Sequence, residues 1–109
     1  MTSLDLLFGA LADDTRRAFL AQIGTGELPL SRLEPPRSMS LAGVIKHVRV
    51  LEEAGLLTRE KRGRTVWCRS EPAPLREAAN WIETYQGFWN ERLDALAIHL
   101  TINGEADRA

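Results

Sequence analysis

The chain has 109 residues, 27% charged and 44% hydrophobic: one domain by length, with room for a small core to which pairing with a second copy would add burial. No window approaches the roughly 18 uncharged apolar residues of a membrane span, and no basic start leads into an apolar run, so neither insertion nor export is expected and the cytoplasm is the expected compartment. The single cysteine, Cys68, excludes an internal disulfide and a metal shared between thiolates, and the net charge of −1 argues against a polyanionic partner only until the charges are placed along the chain.

Residues 1–31 carry two basic and four acidic groups, residues 32–69 nine basic and four acidic, and residues 70–109 three basic and seven acidic. A segment of +5 thus lies between segments of −2 and −4. The plain reading is a mixed solvated surface; the other is a local field suited to nucleic acid.

Leu4, Leu7, Phe8 and Leu11 recur at i, i+3, i+4, i+7, the spacing of one helix face, with Thr2 or Ser3 as cap. Asp13-Asp14 restarts the chain as an N-cap pair, Phe19, Leu20 and Ile23 form a buried stripe, and Gly24 and Gly26 end the second helix. Pro29, Pro35 and Pro36 leave space for about one helical turn at Leu30–Leu33. Ser40 caps the next helix, about 40–54, which buries Val44, Val48, Leu51 and His47 and stops at Ala54-Gly55. Leu41, Ala42, Ile45, Lys46, Arg49 and Glu53 take its opposite face.

Leu56–Ser70 alternates on either side of a Lys-Arg-Gly turn and reads as a two-stranded hairpin with a basic tip, the wing falling at about 57–69. Pro74 starts a last helix, about 74–100, whose stripe of Leu75, Ala78/Ala79, Ile82, Tyr85, Trp89, Leu93, Leu96 and Leu100 needs a partner. The polar tail, 103–109, is expected to fray, leaving a domain of 1–102.

This order gives a mainly α fold with a small β-hairpin, a winged helix-turn-helix whose capped helix enters the major groove while the hairpin reaches flanking DNA. The expected DNA-binding residues are Ser40, Leu41, Ala42, Ile45, Lys46, His47 and Arg49 on the helix, with Lys61, Arg62 and Arg64 on the wing. His47 is open between a half-buried structural histidine, which its spacing with Val44 and Leu51 favours, and a DNA contact. The wing cations could instead protect a sheet edge.

The runs FGALADDTRRAFLAQIGTGELPLSRL, MSLAGVIKHVRVLEEAGLLTREKRGR and CRSEPAPLREAANWIETYQGFWNERLDAL resemble ArsR-type winged-helix transcriptional repressors over nearly the whole chain. The resemblance implies a homodimer paired through the first and last helices, bound to a pseudo-palindromic operator in double-stranded DNA and released by a signal. Leu4, Leu7, Phe8, Leu75, Ile82, Tyr85, Trp89, Leu93 and Leu96 are the expected interface. Helical spacing assigns Trp81 and Phe88 to core and interface rather than to a stacking box.

Two departures stand out. Metal-sensing members carry cysteines in an E-L-C-V-C-D-L run where this chain has Glu27-Leu28-Pro29-Leu30-Ser31-Arg32-Leu33, and His99 has no second histidine on the last helix. A metal-independent branch follows, with no metal and no cofactor. On the recognition helix many relatives read S-x-P-A-V-S-K-H-L against Ser40-Leu41-Ala42-Gly43-Val44-Ile45-Lys46-His47-Val48, so Ile45 replaces a hydroxyl. Leu41 and Ile45 are open to packing against thymine methyls, and Gly43 costs about 1 kcal/mol of helix propensity against Ala.

The competing function is a winged-helix protein-interaction module whose basic face docks an acidic partner. An enzyme is the weakest reading, since two histidines and one cysteine form no nucleophile, base and orienter set.

Overall fold

The computed structural model describes residues 3–108; Thr2, one of the two possible caps, and Ala109, the end of the expected tail, lie outside the described residues. In chain order the elements are α1 (Ser3–Leu11), α2 (Asp14–Ile23), β1 (Glu27–Pro29), a single 3₁₀ turn (Leu30–Arg32), α3 (Leu41–Glu53), β2 (Leu57–Arg62), β3 (Thr65–Ser70) and α4 (Pro72–Arg108). The chain divides into two compact units, Met1–Ala78 and Ala79–Ala109, the boundary falling within α4. The winged helix is therefore the first unit.

Each helix of that unit stops and starts where its end groups find partners. Asp13 is extended, and its side chain accepts from the Arg16 N–H at 3.1 Å, so the first turn of α2 is capped. Gly24, at φ 59°, ends α2 and donates to the Leu20 carbonyl at 3.0 Å. Ser40 caps α3 in the same way, accepting from the Gly43 N–H at 3.1 Å. At the far end of α3, Gly55 at φ 74° donates to Glu52 O and Leu56 N–H donates to Leu51 O, both at 2.9 Å. These crossed bonds form a Schellman motif, and Leu51 and Leu56, at its two ends, are both fully buried.

The core joins Leu7 and Ala10 of α1, Phe19 and Ile23 of α2, Val44, Val48 and Leu51 of α3, Leu57 and Cys68 of the sheet, and Ala78 of α4. Full burial of a side chain such as Phe19 contributes about 1.5–3 kcal/mol. Leu7 is 1% exposed within this core and is not available to a partner, which corrects its assignment to an interface. Of the stripe that contains Leu7, Leu4, Phe8 and Leu11 remain half-exposed.

A third strand corrects the two-stranded hairpin. β1 pairs antiparallel with β3, Glu27 opposite Arg69, Leu28 opposite Cys68 and Pro29 opposite Trp67, giving the order β1-β3-β2. Pro29 hid the strand in the sequence, yet proline is tolerated on an edge, where a missing N–H costs no ladder bond. Gly63 at φ 62°, followed by Arg64 with negative φ, gives the hairpin a II′-type turn.

α4 is longer than expected at both ends, 37 residues, and carries the helix through Asn103–Arg108 instead of a frayed tail. No proline follows Pro74, so nothing in the backbone forces an earlier stop. Among the described residues no helix is long and apolar enough to cross a membrane.

Candidate nucleic-acid interface

At 100° per residue, Leu41, Ala42, Ile45, Lys46 and Arg49 fall within an arc of about 140° on α3, and the buried Val44, Val48 and Leu51 within a separate arc of about 60° that begins beside Leu41. Leu41 is 65% exposed, Ala42, Lys46 and Arg49 are exposed, and Ile45 is half-buried. The Ser40 hydroxyl is occupied as the cap of α3, so its first role is to start that helix.

His47 lies at the edge of the buried face, its side chain 22% exposed. Arg16 Nη1 approaches its Nδ1 at 3.2 Å, and Asp13 Oδ2 stands 3.6 Å away. An arginine only donates, so Nδ1 accepts in this arrangement. Of the two readings of His47, the structural one has these contacts. The same Arg16 donates through Nε to Ala10 O at 2.6 Å and through Nη2 to Gly9 O at 3.1 Å, while Arg17 donates to Leu11 O at 2.7 Å. The Asp-Asp-Thr-Arg-Arg run thus caps α2 with one residue and closes the carbonyl end of α1 with two others.

Strand alternation separates the wing cations. Leu57, Arg59 and Lys61 share the face of Val66 and Cys68, which packs on the helices; Thr58, Glu60 and Arg62 share the outer face with Trp67 and Arg69. On the inner face Arg59 Nε meets Glu52 Oε1 of α3 at 2.7 Å, tying the wing to α3. On the outer face Arg62 pairs with Glu27 at 2.7 and 2.9 Å and with Glu60 at 2.8 Å, its guanidinium 5.5 Å from the Trp67 ring centroid. Arg62 hydrogen bonding holds the Glu27 and Glu60 carboxyls below their usual range. Arg62 therefore does not stand free as the sequence expectation had it.

Of the nine cations between residues 32 and 69, Arg37, Arg59, Arg62 and Arg69 are ion-paired, with Asp14, Glu52, Glu27/Glu60 and Glu71 respectively. Among the described residues Arg32, Lys46, Arg49, Lys61 and Arg64 have no such partner. A groove of about 230 Å³ between the 3₁₀ turn, the start of α3 and the wing tip is lined by Leu30, Ser31, Leu41, Arg64, Thr65 and Val66. It brings Leu41 and Arg64 together, and adds Ser31 and Thr65, hydroxyl residues outside the expected DNA-binding set.

On α4, Leu75, Ile82, Tyr85, Trp89, Leu93 and Leu96 are 38–55% exposed. Trp81 and Tyr85 stack at 5.2 Å between centroids. Cys68 is fully buried, and burial raises its thiol pKa, which disfavours the reactive thiolate. Among the described residues no three His, Cys, Asp or Glu side chains gather as a metal site.

No family model matches the chain. An uncharacterised HTH-type transcriptional regulator of Bacillus subtilis, YuzN, is 33% identical over 87 positions, covering 72% of this chain and 95% of its own. The arsenic resistance transcriptional regulator ArsR1 of Pseudomonas putida is 33% identical over 79 residues, and the match spans 72% of this chain but only 59% of that longer relative. The crystal structure of an ArsR family transcriptional regulator superposes with a TM-score of 0.75 at 35% identity, over 82% of this chain and 98% of its own. By their descriptions all three are transcriptional regulators and none is an enzyme. The chain belongs to the ArsR family of winged-helix transcriptional regulators.

Proposed function

We propose that the chain is a homodimeric, sequence-specific DNA-binding repressor of a nearby operon. α3 lies in the major groove, with Lys46 and Arg49 donating to phosphates or base edges and Leu41, Ala42 and Ile45 forming an apolar contact with bases. Lys61 and Arg64 meet the flanking backbone. The observation that carries this reading is the outer arc of α3: it carries two unpaired cations and a 65% exposed leucine, and it opens into the groove that ends at Arg64.

A second copy covers the apolar stripe of α4, which places half-sites about one helical turn apart. Residues 1–78 are the DNA-reading part, and the remainder of α4 holds the dimer. Release does not run through a thiolate-bound metal, because the only cysteine is buried and Pro29 and Ser31 occupy the sensor positions. Arsenite or zinc altering DNA affinity at stoichiometric concentration would overturn that statement.

Selection from random-sequence duplexes, followed by footprinting on the enriched DNA, tests the whole reading. Enrichment of an inverted repeat with two protected half-sites is expected. A protein that enriches no duplex, or that sediments as a single chain while bound to one, is not this repressor.

A further inference from the structure

The outer face of the sheet carries a connection that the groove-facing residues do not use. Glu27 opens β1, immediately ahead of the 3₁₀ turn that leads toward α3; Arg62 closes β2, beside the Gly63 turn. One guanidinium spans β3 between them, above Trp67, and makes two hydrogen bonds to Glu27 and one to Glu60. The tip of the wing is thereby fastened to the strand that enters the helix-turn-helix.

We propose that Arg62 is a positioning residue for DNA binding: it fixes the wing tip against β1 so that Lys61 and Arg64 meet the backbone, and it neutralises no phosphate itself. The proposal rests on the DNA-binding reading above. Three observations separate Arg62 from its neighbours. Its side chain is on the opposite sheet face from Lys61. Three of its N–H groups are committed to charge-assisted bonds, whereas Lys61 and Arg64 have no ion pair among the described residues. Moving it to a phosphate would also leave Glu27 and Glu60 unpaired beside a polyanion, where each repels the duplex. The planar guanidinium makes two parallel bonds to Glu27 and a third to Glu60 at once, a fork geometry that a lysine ammonium does not offer.

The two roles give opposite signs in one experiment. Affinity and its salt dependence are measured on a duplex selected from random DNA by the unaltered protein, for Glu27→Gln, Arg62→Gln, Arg62→Lys and the exchanged pair Glu27→Arg/Arg62→Glu. As a brace, Glu27→Gln weakens binding about three- to tenfold, the scale of one good ion pair. Arg62→Gln and Arg62→Lys weaken it similarly with the slope of log K against log salt unchanged, and the exchanged pair recovers most of the loss. A phosphate donor behaves otherwise. Glu27→Gln would then free the guanidinium and tighten binding, Arg62→Lys would bind nearly as the parent does, and Arg62→Gln would reduce the magnitude of the slope by about two per dimer.

Thermal unfolding of each variant identifies any that fails to fold, and Arg62→Lys, which keeps the charge, still decides the matter if Glu27→Gln does not fold. Unchanged or tighter binding by Glu27→Gln, or parental binding by Arg62→Lys, overturns the brace alone. Failure of the unaltered protein to enrich any duplex removes the DNA-binding reading and takes this proposal with it.

Discussion

Arg16 of α2 reaches Nδ1 of His47 in α3 at 3.2 Å while its Nε and Nη2 close the carbonyls of Ala10 and Gly9. One side chain thus joins three helices. Arg16→Ala is expected to destabilise the fold by about 2 kcal/mol, because charge-assisted bonds are lost, Ala10 O loses its donor and Gly9 O keeps only the Ala12 N–H. Arg16→Lys should recover little, since an ammonium cannot replace the fork. Urea unfolding measures both; a lysine variant as stable as the parent would show that charge alone matters here.

Ser40 separates a capping role from a DNA contact. Ser40→Ala should cost about 1 kcal/mol of stability and Ser40→Gly only a few tenths, following the ordinary cap preference. DNA affinity is expected to follow stability across the two variants. A Ser40→Gly protein that is stable yet binds DNA much more weakly would assign the hydroxyl to the duplex.

Salt dependence counts the phosphates. If Lys46, Arg49, Lys61 and Arg64 each neutralise one phosphate per subunit, a dimer makes eight contacts and the slope of log K against log salt is about −7. Lys46→Gln should bring it to about −5 with similar loss on all sequences. A slope near zero in the parent contradicts the assignment.

Acid should loosen the molecule at identifiable pairs. Arg37 hydrogen bonding lowers Asp14, Arg62 lowers Glu27 and Glu60, and Thr58 followed by Arg69 lowers Glu71. Folded values below the unfolded ones mean that these groups stabilise the fold above the ordinary carboxylate range, about pH 4, and that the contribution is lost as pH falls through their lowered values. Midpoint temperature is therefore expected to be flat from neutrality to about pH 5 and to fall below it. Arg62→Gln should flatten that acid limb, as seen by calorimetry.

Cys68 should behave as a core residue. A thiol reagent is expected to label it only at the rate of unfolding, because the sulfur is buried and burial raises its pKa. Cys68→Ser, which places a hydroxyl in the core, should cost about 1–3 kcal/mol and exceed Cys68→Ala. Rapid labelling of the folded protein would contradict its place in the core.

Much of this architecture was legible in the residues. Asp13, Gly24, Ser40 and Gly55 mark helix ends because each supplies a cap oxygen or a left-handed φ, and all four do so in the structure. The stripe of Val44, Val48 and Leu51 fixed which side of α3 faces the core, and therefore which side is free. β1 was not legible, since three residues ending in proline give no alternation to read. Gly43, read as a weak point of the helix, has a packing reason: a Cβ there would lie 2.8 Å from Met39 Cγ. Composition near the wing could not distinguish Arg62 from Lys61 and Arg64. Of the two carboxylates that engage Arg62, Glu27 lies 35 residues away, and only the pairing of β1 with β3 brings it near.

The sheet also governs how copies can meet. Its outer margin on one side is a three-residue strand ending in an imino acid, too short and too poor in free donors to template an incoming strand. Ribbon-like polymerisation through that margin is blocked by covalent chemistry. The sheet's other margin, β2, is a six-residue strand, and there the charged side chains of Arg59, Glu60, Lys61 and Arg62 oppose strand addition.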